Sequence, residues 1–142
     1  MARYVTQDGY AARFSEEELL ALTDRDGDGT VDETVWSAAA ADAEAEVDAA
    51  LAARYSLPLE HVPDAVRWAA YAVLRIRLNP HVGEDHPARH TYTDARDWLR
   101  RVARGDASLG LPDEQAEDVG GSRPAVVGGG PRYTQSFFER YR

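Results

Sequence analysis

The chain has no cysteine and no lysine; all 16 of its cationic side chains are arginine. The first absence excludes a disulfide framework, a thiolate metal site and a cysteine nucleophile. The second, with a formal net charge of -9 over 142 residues, argues against a broad basic surface that grips phosphate backbones, and so against a DNA-binding helical domain. Long apolar runs are missing too. The opening MARYVTQDGY has no stretch of signal-peptide length and nothing further on reaches a membrane span, so the expectation is a protein kept in the cytoplasm where it is made. There is no Walker loop and no nucleophile elbow, and Gly128–Gly130 lacks the helix and lysine of a phosphate cradle. An enzyme reading has no residue set behind it.

What remains is helical in pattern. Thr6 can cap a first short helix, and Ser15 with Glu18 forms a capping box ahead of Leu19, Leu20 and Leu22. The alanine-dense run from Thr34 to about Arg54 predicts a long helix with two small-residue faces. Trp36, Ala39, Ala43, Val47, Ala50 and Leu51 share one face; Ala38, Ala41, Ala45, Ala49 and Ala52 share the other, with Asp42, Glu44, Glu46 and Asp48 along the seams. One face can pack on the chain's own core and the second against a neighbouring subunit. Alanine is also simply a good helix former, which explains the composition equally well.

Pro63 sits where a helix starts, and Val66, Ala69, Ala70, Tyr71, Val73, Leu74, Ile76 and Leu78 make the following segment apolar on nearly all sides, as a central buried helix requires. Asn79-Pro80 ends it. A polar loop with His81, His86 and His90 follows, without the regular spacing of a zinc site, and reads as solvated. A last helix is predicted from about Thr91 to Arg104, with acids early, arginines late and Gly105 as its cap. The expectation is an all-α chain: a bundle of four to five helices over residues 1–105, then a Gly/Pro-rich linker and arm over 106–142.

That arm ends in aromatic and cationic residues, Tyr133, Phe137, Phe138, Arg140 and Tyr141 among them. These are the types that interfaces use as anchors. After a long glycine-rich spacer they suit docking on another chain better than covering the chain's own core.

Asp24-Arg25-Asp26-Gly27-Asp28-Gly29-Thr30-Val31-Asp32 follows the first nine positions of an EF-hand loop, where alternating acidic oxygens wrap a hard cation. Asp24, Asp26 and Asp28 would supply side-chain ligands, Thr30 its carbonyl, and Asp32 a direct or water-mediated contact. At the twelfth position, where a bidentate glutamate should close the site, stands Val35; Glu33 is the nearest substitute. A metal-free alternative is an aspartate-rich turn that bonds its own backbone and caps the next helix. A calcium-binding regulatory module is therefore a competing functional reading.

Phe14-Ser15-Glu16-Glu17-Glu18-Leu19, Leu22-Thr23-Asp24-Arg25-Asp26-Gly27-Asp28-Gly29, and the alanine helix running into Ala53-Arg54-Tyr55-Ser56-Leu57-Pro58-Leu59 together resemble the small head-tail connector proteins of Mu-like phages. Arg104-Gly105, Ser108-Leu109-Gly110 and the aromatic, arginine-bearing tip extend the likeness over nearly the whole chain. The resemblance implies an all-helical connector fold repeated as a homo-oligomeric, twelvefold ring between the portal protein and the tail or stopper protein. Genomic DNA would pass through its lumen without sequence-specific binding. It further implies that the arm reaches the portal, with Phe137, Phe138, Arg140 and Tyr141 as anchors. The virion would be its location, and the host bacterial cytoplasm its site of assembly. The glycine-rich linker after Pro112 and the histidine loop depart from the pattern.

Overall fold

A computed structural model describes residues 4–111. Five helices make up the described fold: α1 (Gln7–Arg13), α2 (Glu16–Thr23), α3 (Glu33–Leu51), α4 (Asp64–Leu78) and α5 (Pro87–Arg104). No strand occurs among the described residues, whose fold is all-α. The expected docking residues Tyr133, Phe137, Phe138, Arg140 and Tyr141 lie outside the described residues.

Local signals start and stop these helices. The Thr6 side chain accepts the Gly9 amide at the head of α1, and Ser15 accepts the Glu18 amide at the head of α2. Gly105 closes α5 in the left-handed region at φ 87°, and the Asp106 amide reaches back to the Arg101 carbonyl at 2.8 Å. That pairing satisfies carbonyls the helix end would otherwise leave free.

Helix α4 packs against both α3 and α5 and buries nine residues spread around its circumference, including Tyr71, Val73, Leu74 and Ile76. Its apolar character on nearly every side is thus matched by its central position. Helices α3 and α5 also touch, and the α1–α2 hairpin covers one flank of this core. Fully burying a side chain such as Leu74 contributes about 1.5–3 kcal/mol relative to leaving it exposed.

Two boundaries differ from the sequence expectation. Helix α3 begins at Glu33 and ends at Leu51, since Asp32 caps it by accepting the Thr34 amide at 2.9 Å. Helix α5 begins at Pro87, one turn before Thr91. Pro87 needs no amide partner at a first helical position, and the His86 Nδ1 accepts the Ala88 amide at 3.1 Å. Thr91 lies inside the helix and donates its hydroxyl to the Pro87 carbonyl at 2.9 Å. Packing continues beyond Gly105: Leu109 is buried, and its amide donates to the Tyr55 hydroxyl at 3.2 Å.

Candidate functional site

The two faces of α3 are distinct, although Ala50, expected on the inner face, is only half-buried and Ala40, expected on neither, is buried. Trp36, Ala39, Ala43, Val47 and Leu51 are buried, whereas Ala38, Ala41, Ala45, Ala49 and Ala52 are all exposed. These five positions run about 21 Å along the helix axis at 1.5 Å per residue. Both seams are tied to the body. On one, buried Glu44 accepts the Tyr4 amide at 2.8 Å and Asp48 accepts the Tyr4 hydroxyl. On the other, Glu46 accepts from Arg77 at 2.6 Å and from the Tyr92 hydroxyl at 3.1 Å. The alanine face is held rigidly and offers no long side chain to displace, so another backbone can approach it closely.

The aspartate loop leading into α3 is organised from within. Asp24 Oδ1 accepts the amides of Gly27 and Asp28 at 2.8 and 3.1 Å, and Oδ2 accepts that of Gly29 at 2.9 Å. Asp28 Oδ1 accepts both the amide and the hydroxyl of Thr30, at 2.8 and 2.7 Å. Gly29 stands at φ 80°, which its lack of a Cβ permits without strain.

The Gly29 amide, aided by those of Gly27 and Asp28, holds the Asp24 carboxyl below its ordinary range against the cost of desolvation. The Asp28 amide favours charge on Asp26, but the contact with Asp24 and the neighbouring negative charges outweigh it and push Asp26 up. Carboxylate oxygens of Asp24, Asp26 and Asp28 all lie within 4.8 Å of one another, an arrangement that could hold a hard cation. Asp32, expected to complete that set, turns its Oδ1 to the Thr34 and Val35 amides as the α3 cap. The loop is thus a turn whose aspartates bond its own backbone, with only Asp24, Asp26 and Asp28 of the five expected ligands drawn together.

His81, His86 and His90 are exposed, and among the described residues no group of ligand-type side chains gathers around them. His86 instead serves as a helix cap. The Glu18–Arg75–Tyr10 network escapes sequence reasoning, because Arg75 reaches Glu18 across 57 residues of chain and no local pattern links them.

No helix of the described residues is long and apolar enough to cross a membrane. The fold defines the class: the described residues form a small all-α bundle with an exposed small-residue face on α3. The profile of the family described as Bacteriophage Mu, Gp36 matches residues 4–127. The chain therefore belongs to the Bacteriophage Mu, Gp36 family, and it is a phage protein. It is 34% identical over 117 residues to gene product J of Escherichia phage Mu, covering 80% of each chain. To the Mu-like prophage FluMu protein gp36 of Haemophilus influenzae it is 30% identical over 114 residues, again covering 80% of each.

Proposed function

We propose that the protein is a structural subunit of the phage particle, a head-tail connector that forms a homo-oligomeric ring between the portal and the tail or its stopper. Membership of a Mu phage family across residues 4–127 is the observation that carries this reading. The geometry supports it: the face formed by Ala38, Ala41, Ala45, Ala49 and Ala52 is exposed, rigid and small, as a repeated helix-to-helix contact requires. A head-to-tail contact that closes on itself makes a ring, and each weak contact is multiplied around it. The tip residues Tyr133, Phe137, Phe138, Arg140 and Tyr141 supply the anchors toward the portal. The net charge of -9 suits a lumen that DNA passes without sticking.

The test is substitution on the alanine face. Ala45→Arg with Ala49→Arg leaves the helical fold intact and abolishes incorporation into particles. Normal incorporation of that variant would remove the α3 face from the interface.

A second reading is favoured by one observation, the 4.8 Å clustering of Asp24, Asp26 and Asp28: a calcium-binding module. Calcium titration of the isolated protein discriminates the two. Micromolar affinity coupled to a conformational change is expected of the module alone.

A further inference from the structure

The start of α5 hangs on one residue. Pro87 has no amide to offer, and the next three amides all go to His86: its side-chain Nδ1 accepts that of Ala88 at 3.1 Å, and its carbonyl accepts those of Arg89 and His90 at 2.8 and 3.4 Å. An imidazole nitrogen accepts a hydrogen bond only while it carries no proton, so this cap requires a neutral ring with its proton on Nε2. Imidazole is also the side chain whose charge ordinarily changes between pH 5 and 8. Thr6 and Ser15, which cap α1 and α2, accept through hydroxyls and have no such sensitivity.

We propose that His86 is a pH-dependent latch: its protonation in mild acid releases the Ala88 amide, and the first turn of α5 loosens together with the loop that precedes it. Three observations carry this. The first is the cap itself. A protonated ring sets a donor at Nδ1 against the Ala88 donor, and places a positive charge at a helix N-terminus, where the dipole disfavours it.

The second is an alternative partner. Against the cost of burial, hydrogen bonds from Arg75 and Tyr10 and the charges of Arg75 and His86 hold the Glu18 carboxyl below its ordinary range. The same attraction, taken from the side of the ring, favours the protonated form. Protonation therefore trades an amide on α5 for a carboxylate on α2. The charged groups around the ring are Glu18 of α2, with Arg75 of α4 bound to it, and, on its own segment, Glu84 and Asp85 before it and Arg89 and His90 after it.

The third is what the turn holds. Arg89 donates from Nη2 to the Pro80 and Val82 carbonyls at 3.3 and 3.0 Å, so the helix start ties down the loop that follows α4. Ala88 is buried beside it, and the Thr91 hydroxyl donates back to the Pro87 carbonyl. Loss of the cap therefore weakens the hold on both the turn and the loop. The latch does not depend on the connector reading.

Nuclear magnetic resonance on the full chain tests it twice. Near pH 7.5 the imidazole nitrogen shifts should identify His86 as the Nε2-protonated tautomer; the Nδ1-protonated tautomer would overturn the proposal. Between about pH 7.5 and about pH 5.5, with each rate corrected for the intrinsic pH dependence of exchange, protection of the Ala88 to Thr91 amides should fall roughly five-fold, the size of a lost cap. Protection in the first turn of α3 should hold. His86→Ser replaces the ring with a capping hydroxyl that does not titrate, and the fall should vanish. His90→Gln removes the other histidine of the turn and should leave the fall in place. Constant wild-type protection across this range, a fall that persists in His86→Ser, or one that disappears in His90→Gln would overturn the latch.

Discussion

Arg75 holds Glu18 by a two-point fork, Nε to Oε1 at 2.7 Å and Nη2 to Oε2 at 2.9 Å, and the buried Tyr10 hydroxyl donates to the same Oε1 at 3.0 Å. The guanidinium also lies 4.4 Å over the Phe14 ring. One arginine on the central helix thus clamps both helices of the α1–α2 hairpin, and the hairpin brings Arg13 and Phe14 beside Trp68 and Tyr71.

Glu18→Gln should cost about 1–2 kcal/mol, because a half-buried bidentate pair is stronger than an exposed one and its loss leaves Arg75 partly unpaired. Burial alone would raise the Glu18 carboxyl, but the hydrogen bonds from Arg75 and Tyr10 outweigh it and hold it below the usual range. A depressed folded-state value means stability that is present above the unfolded pKa of about 4.3 and lost as pH falls through the folded one. Thermal melts at neutral pH and near pH 3 check this: the gap between wild type and Glu18→Gln is expected to shrink in acid.

Gly9→Ala tests a close approach. A Cβ on Gly9 would collide with the Tyr71 hydroxyl, which accepts the Thr6 amide at 3.0 Å. Helix propensity alone would stabilise this substitution by up to about 1 kcal/mol; overpacking should reverse the sign and cost about 1–3 kcal/mol. Tyr71→Phe removes the nearer of the two colliding atoms and leaves the ring carbon Cζ, so the double variant should recover part of the loss, read as coupling in a denaturant-unfolding cycle.

Much of this body is legible in the sequence. The Thr6 and Ser15 caps, the all-round apolar α4 bounded by Pro63 and Asn79-Pro80, and the division of α3 into buried and exposed alanines follow from spacing alone. Other features depend on contacts that spacing does not encode. Glu44 has the composition of a seam residue yet is buried, because its partner is an amide 40 residues upstream. The start of α5 is hidden because a histidine cap before a proline resembles loop chemistry. Trp68 falls on the stripe of α4 that carries Asp64, Arg67 and Arg75, and its exposure follows that period although its size would favour the core.

Asp32→Ala probes the loop. Asp32 is the side-chain cap of α3, and its loss should cost about 1 kcal/mol. Asp28→Ala removes only exposed contacts to Thr30 and should cost less. Comparing the two by chemical denaturation separates the capping role from the rest of the acidic run.

Removing residues 133–142 should leave the helical body folded, since residues 4–111 bury a continuous core among themselves; a thermal melt of the truncated chain checks this. If the tip anchors the subunit, the same deletion abolishes assembly onto the portal, which a particle incorporation assay reads directly.

The most direct test of the connector role is quantitative mass spectrometry of purified, DNA-filled particles, counting copies of this chain against the portal subunit. A connector subunit is expected at a stable, near-equal ratio to the portal. Absence of the chain from particles that contain portal and tail proteins would contradict that role.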